Sequence, residues 1–502
     1  MIRQVKIEGG EIRGIPAADP RVTAFKGVPF AAPPVGENRW RAPQPVVPWE
    51  GVKECYTFAP ISMQHIPGLD LNNIYSREWN VDPTIPMDED CLYLNVWTPA
   101  KTPDEKLPVL VWFFGGGLRE GNTAEMEFDG ERIARRGVVV VTVNYRLTVF
   151  GFLAHPQLTA EQPDAPTNFG HLDQQAGIKW AIRNIAAFGG DPTNITIGGQ
   201  SAGGGSVISQ LTSPQDKGLF QKAIIMSGMM AYLYGRPMRR NTLADAEANG
   251  EEFFKVLGVK TLEEARKLDA VTIRDASNTF RGGFGTVVDG VFLPEATDKR
   301  LMDGNRHNVP LLVGHTSNEF FAEFPAKNMD EFKAQAKEAF GEDTDEFLKI
   351  VGDDFDTAMK AARICSLELA YKSLKRADEL NGIDQPMYYY CFDPEIPGWD
   401  NPGTFHSSDL WFFFETLAKC WRPFVGKHYD LARQMCNYWG NFFKNGDPNG
   451  NDADGTPMPE WKPYTTEDPN MMRFADVSTP EKAVSSELMA FLMKVYLKRF
   501  GK

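Results

Sequence analysis

Asn194-Ile195-Thr196-Ile197-Gly198-Gly199-Gln200-Ser201-Ala202-Gly203-Gly204-Gly205-Ser206-Val207 is the stretch that decides the fold. Ile195, Thr196 and Ile197 read as a short buried strand, and the small residues from Ala202 onward open a helix. Between them, Gly199 to Gly203 fits G-x-S-x-G. A strand-to-helix turn this tight forces Ser201 into a strained backbone conformation, and a Cβ at Gly199 or Gly203 would clash where the two elements cross. The pattern alone is common in ordinary glycine-rich turns. Its place between strand and helix makes Ser201 a candidate nucleophile, with the positive helix N-terminus behind it.

Working outward, short apolar runs alternate with helical patterns. Lys106–Phe114 and Gly137–Val143 read as central strands covered on both faces, with Phe220–Ser227 and Val309–Gly314 as further strands. The turn Gly189–Pro192 is expected to precede a strand at Asn194–Gly198, and Gln174–Phe188 to be helical. Strand–helix alternation of this kind predicts an α/β fold with a mostly parallel twisted sheet and helices on both faces. Residues 232–280 and 329–381 are charged and helical in pattern, and read as insertions capping the sheet within a single domain spanning residues 1–502.

The chain has 502 residues, 42% hydrophobic and 12% aromatic, enough for a large core without low-complexity tails. A formal net charge of −14 argues against nucleic acid as a partner. The opening MIRQVKIEGG lacks the apolar segment of a secretory leader, and no run suits a membrane span. The six cysteines show no C-x-x-C pair, so free thiols in a cytoplasmic protein are expected, as a monomer or weak homo-oligomer. The sequon Asn194-Ile195-Thr196 falls in the buried strand and reads as chance.

Gly115-Gly116-Gly117 follows the strand ending at Phe114. Without side chains, such a loop can turn sharply and present bare N–H groups to a pocket. Acyl transfer needs donors about 2.7–3.1 Å from the oxygen that becomes negative. Gly116 and Gly117, completed by the N–H of Ala202, are the candidates for that oxyanion hole.

These residues, with several others, resemble the type-B carboxylesterases, the branch of α/β-hydrolases that includes bacterial p-nitrobenzyl esterases and the cholinesterases. Phe25–Pro34 and Glu89–Val96 are similar to the family's first two signatures, and Asn144–Leu147 with Phe150–Leu153 to its strand-end motif. Ala187–Gly204 is similar to the serine signature almost throughout, and Val287–Gly290 with Phe292-Leu293-Pro294 adds a further match. The resemblance implies a serine carboxylesterase that needs no cofactor or metal and acts on small-molecule esters.

A serine at neutral pH needs a base, and the base an orienting carboxylate. Of seven histidines, His406 lies late in the chain, as the order Ser, acid, His requires, and in a segment similar to the family's histidine loop. The other six suit surface or hydrogen-bonded structural roles. Glu319, just beyond the strand ending at Gly314, is the expected acid, and the family uses glutamate here. Asp289, which reads as a turn residue, and Asp409, close to His406 in sequence, are its rivals.

Some positions depart from the family pattern. Gln200 stands where glutamate is frequent, and Phe114 where His or Tyr is usual. Leu118-Arg119-Glu120 replaces an aromatic, with an Arg119–Glu120 surface pair or simple exposure expected and contact with an anionic substrate the alternative. Ser62 aligns with the upstream cysteine that secreted relatives pair with the position of Cys91, so that bridge is not expected. Trp411-Phe412-Phe413-Phe414 reads mainly as core, with one or two of them available to line a pocket. The same machinery also suits an amidase, carbamate hydrolase or lactonase, and a non-catalytic binding protein is the remote alternative.

Overall fold

The computed structural model describes residues 1–65, 72–79, 84–234 and 241–502. Eleven strands form its main sheet: β1 (Ile15–Pro16), β2 (Thr23–Pro29), β3 (Tyr93–Thr98), β4 (Leu107–Phe113), β5 (Val139–Val143), β6 (Gly190–Gln200), β7 (Lys222–Met226), β8 (Leu311–Thr316), β9 (Met387–Phe392), β10 (Asn470–Phe474) and β11 (Ser478–Lys482). Their spatial order is β11-β10-β9-β8-β7-β6-β4-β5-β3-β2-β1. From β10 to β5 all neighbours are parallel, while both flanks are antiparallel.

The apolar runs of β4 and β5 are unbroken because the sheet is covered twice. Val109 and Val111 are level with Val139 and Val141, and this face continues to Val143, against which Gly177 of helix α1 (Phe169–Asn184) packs. Trp112 points the other way, with Phe413 at 5.0 Å and, beyond it, Trp439 of the helix Gly426–Asn445. Burying one large apolar side chain contributes about 1.5–3 kcal/mol, so these two layers hold the sheet's centre rigid.

Several expected boundaries move. The strand expected at Asn194–Gly198 begins at Gly190, because Gly189, at φ 79°, completes the turn on its own and Gly190 already pairs with Leu107. Helix α1 starts five residues before Gln174, and its end tightens into a 3-10 turn at Ile185–Phe188. Asn194 does sit in a strand, where its amide donates to the carbonyl of Lys444 at 3.0 Å. Residues 232–280 and 329–381 contain helices including Leu243–Leu257, Ala270–Thr279, Met329–Phe340 and Ser366–Leu380, while 235–240 lie outside the described residues.

All six cysteines are free thiols, and the Ser62 hydroxyl donates to the carbonyl of Tyr145 at 2.5 Å. Trp411, Phe412, Phe413 and Phe414 are all buried in the core, with Phe412 on Phe392 and Phe414 on Trp112. Among the described residues no helix is long and apolar enough to cross a membrane.

Candidate active site

The chain leaves β4 toward β5 on one side and returns as β6 on the other, so the carboxyl ends of β4 and β6 lie together where the strand order reverses. Such a switch point opens a crevice. Phe113 is level with Gly199, which puts Gly115 directly over the turn after β6. A Cβ on Gly115 would lie 2.7 Å from the Gln200 carbonyl and 3.1 Å from Ser201 Cβ.

Ser201 occupies the cap of helix α2 (Ala202–Thr212) at φ 56° and ψ −125°, a conformation L-residues rarely hold. Its N–H donates to the Met226 carbonyl at 2.9 Å, which fixes the turn to the end of β7. The flanking glycines are required sterically. A Cβ on Gly199 would sit 2.3 Å from the Gly203 carbonyl oxygen, and one on Gly203 would sit 2.1 Å from that of Phe113. Gly116 at φ 106° and Gly117 at φ 66° make the facing loop. Among the described residues the N–H groups of Gly116, Gly117 and Ala202 donate to no protein acceptor.

Ser201, Glu319 and His406 come from three different strand ends and meet. His406 Nε2 lies 2.8 Å from Ser201 Oγ, and its Nδ1 lies 2.8 Å from Glu319 Oε2. The two loops are tied by Asn318, whose N–H donates to the Thr404 carbonyl at 3.2 Å. Burial works against ionisation of Glu319. The His406 imidazole and the Ser227 hydroxyl outweigh it and hold the carboxyl below the usual glutamate value.

The rival acids are engaged elsewhere. Asp409 accepts from the Tyr390 hydroxyl at 2.9 Å, and burial raises its carboxyl to about 6. Asp289 accepts from the N–H groups of Val291 and Leu293, as a turn residue does. Four of the remaining histidines are in structural hydrogen bonds: His155 caps Pro156–Glu161, His171 bridges Gln174 and Thr286, His307 meets the Ser213 carbonyl, and His428 accepts from the Val425 N–H. His315 is buried between the Thr316 carbonyl and the Tyr389 hydroxyl, and His65 is exposed.

Three contributors carry no sequence motif. Ser227, at φ 47° after β7, supports Glu319 from behind. Ser407, at φ 78°, accepts from the Gln200 amide at 2.7 Å. Phe320, 40% exposed, lies 4.5 Å from the His406 ring, and Tyr75, Trp79 and Phe405 continue the aromatic wall. Only the unusual backbone of the two serines set them apart, and that is invisible in sequence.

Arg119 is exposed, and the Arg119–Glu120 pair does not form. Leu118, at φ 60°, sends Arg119 over Gly117, with its Nε 3.7 Å from where a Cβ would stand, while Glu120 Cγ lies beside Gly116.

A strained serine at a strand-to-helix turn, on the carboxyl edge of a doubly covered parallel sheet, defines an α/β-hydrolase. The comparisons narrow this: the carboxylesterase family model matches residues 2–362 and 352–492, and the chain belongs to that family. It is 32% identical over 467 residues to the fumonisin B1 esterase of Sphingopyxis macrogoltabida, covering 88% of this chain and 82% of that one. The para-nitrobenzyl esterase of Bacillus subtilis (strain 168) is also 32% identical over 467 residues, with 88% and 90% covered. Mouse (Mus musculus) cholinesterase is 29% identical over 520 residues, with 96% and 84% covered. Among solved structures, a PNB esterase superposes with a TM-score of 0.77 at 29% identity, covering 98% of this chain and 100% of that one. A Geobacillus stearothermophilus carboxylesterase gives 0.73 at 30%, with the same coverage. The protein is therefore a serine carboxylesterase, a hydrolase of carboxylic esters.

Proposed function

We propose that Ser201 is the nucleophile of this esterase, His406 its general base and acid, and Glu319 the carboxylate that orients the imidazole. The paired 2.8 Å contacts of His406, to Ser201 on one nitrogen and Glu319 on the other, carry the proposal. Glu319 holds the Nδ1–H tautomer, which leaves the Nε2 lone pair free to take the Ser201 proton. Oγ then bonds to the ester carbonyl carbon, and the N–H groups of Gly116, Gly117 and Ala202 stabilise the oxyanion. Collapse breaks the bond to the alkoxy oxygen, which leaves as alcohol with the proton from His406. Water, deprotonated by the same nitrogen, releases the acid and restores Ser201. No step calls for a cofactor or metal.

The described helices within 232–280 and 329–381 act as caps of one catalytic domain, and the substrates are small-molecule esters reached from the cytoplasm. A fluorophosphonate probe tests the chemistry: the wild type is labelled on Ser201, and Ser201→Ala is neither labelled nor active on p-nitrophenyl esters. Labelling that persists in Ser201→Ala refutes the assignment. Turnover of anilides in preference to the p-nitrophenyl esters would make the protein an amidase instead.

A further inference from the structure

Arg119 is a solvent-facing guanidinium at the mouth of the oxyanion loop, two residues from Gly117, and among the described residues it has no hydrogen bond or ion pair. Acidic residues outnumber basic ones by 67 to 53, and arginines near the site such as Arg77 and Arg422 are tied to Asp400. The turn holds Arg119 in place from behind: its own N–H and that of Glu120 both donate to the Gly116 carbonyl at 3.1 Å, and Leu118 is pinned by the Thr148 N–H at 2.9 Å. The stem runs across the bare face of Gly117, so the guanidinium lies beside the loop that faces Ser201.

A second observation points the same way. The residue before the nucleophile is neutral: Gln200, within 3.4 Å of His406 Nε2, puts an amide where a carboxylate would repel an anion. Of the two carboxylates nearest the site, Glu319 is engaged by His406 and Ser227, and Glu120 is exposed with its Cγ beside Gly116. A neutral group beside the imidazole and an unpaired guanidinium lying over Gly117, with Glu120 turned to Gly116 instead, favour negative charge on the substrate at the Arg119 side of the loop.

We infer that Arg119 binds a carboxylate on the substrate itself, so that the esters this enzyme prefers carry a free carboxylate within a few bonds of the scissile carbonyl. The inference rests on the Ser201 chemistry proposed above and adds its substrate class. A guanidinium suits this task because its planar fork meets both carboxylate oxygens at once.

The test uses two matched ester pairs, with spontaneous hydrolysis subtracted. Mono-4-nitrophenyl glutarate against 4-nitrophenyl valerate places the carboxylate on the acyl side. 4-Carboxyphenyl acetate against phenyl acetate places it on the alcohol side. In the wild type, kcat/KM for the anionic member of one pair is expected to exceed that of its neutral partner about tenfold or more. Arg119→Ala removes that preference, chiefly through KM, Arg119→Lys keeps part of it, and added salt weakens it in the wild type. The pair that responds tells which side of the ester Arg119 reads. An anionic-to-neutral ratio unchanged by Arg119→Ala in both pairs overturns the inference, as does an equal loss on all four esters, which marks a role in shaping the loop. Failure of the underlying chemistry looks different: no turnover of any ester and no fluorophosphonate label on Ser201.

Discussion

Gln200 and Ser407 lock together across the candidate active site: the Gln200 amide donates to the Ser407 hydroxyl at 2.7 Å and lies 3.4 Å from His406 Nε2. The flank of the imidazole is thus lined by neutral groups. Gln200→Glu would place a carboxylate there and favour the imidazolium. The acid limb of the kcat/KM–pH profile is then expected to move up by about one pH unit, with turnover of cationic esters rising relative to neutral ones. An unmoved limb would show that the amide contributes only packing.

Glu319 is held ionised by His406 and Ser227 in spite of its burial. Glu319→Gln keeps the shape but reverses the tautomer preference of the imidazole. A fall in kcat of about 10³–10⁴ is expected, with Glu319→Asp between the two. Full turnover in Glu319→Gln, measured with 4-nitrophenyl acetate, would assign the orienting role to another carboxylate.

Two glycines of helix α2 should respond in opposite ways. Gly203→Ala drives a Cβ to 2.1 Å from the Phe113 carbonyl, and Gly205→Ala meets nothing nearer than the Gly228 carbonyl at 3.7 Å. The first is expected to cost about 1–3 kcal/mol or more and to disable Ser201 by shifting the turn. The second should stabilise by about 0.4–1 kcal/mol, because a helical alanine has less backbone freedom to lose. Urea denaturation of both variants decides this; equal midpoints would contradict the steric account.

Asp216 is fully buried, accepts from Gln175 Nε2 at 2.5 Å, and has no partner on its second oxygen. Burial, partly offset by Gln175, raises its carboxyl from 3.8 to about 7. A raised folded-state value means that the protonated form stabilises below pH 4 and that this contribution is lost as pH rises through about 7. Asp216→Asn should therefore gain on the wild type by roughly 2–4 kcal/mol at pH 8, with the gap closing toward pH 5. Thermal unfolding at the two pH values tests the slope; a pH-independent gap would mean that packing, not titration, separates the proteins.

What the sequence made legible follows from how local each feature is. The Ser201 turn and the Gly115–Gly117 loop stand out because glycine is forced by contacts with residues next in the chain or in the adjacent strand, and at Gly117 by a φ of 66°. Glu319 and His406 could be found from chain order, since both follow strands at one edge of the sheet. Ser227 and Ser407 could not, because each acts through an approach of strand ends distant in sequence and through a left-handed backbone that other residues also adopt. For Arg119 the expectation is a pair with Glu120 or simple exposure; Arg119 is exposed, and a turn with Leu118 at φ 60° parts it from Glu120. Trp411–Phe414 read mainly as core, and all four are buried, Phe413 and Phe414 against Trp112 of β4 and Phe412 against Phe392 of β9.

The φ of 56° at Ser201 also bears on which side chain the turn admits there. A side chain branched at Cβ is disfavoured in that region, so serine suits the bend better than threonine. On the proposed chemistry, the bend thus favours a nucleophile carried on an unbranched carbon before any reactivity is tried.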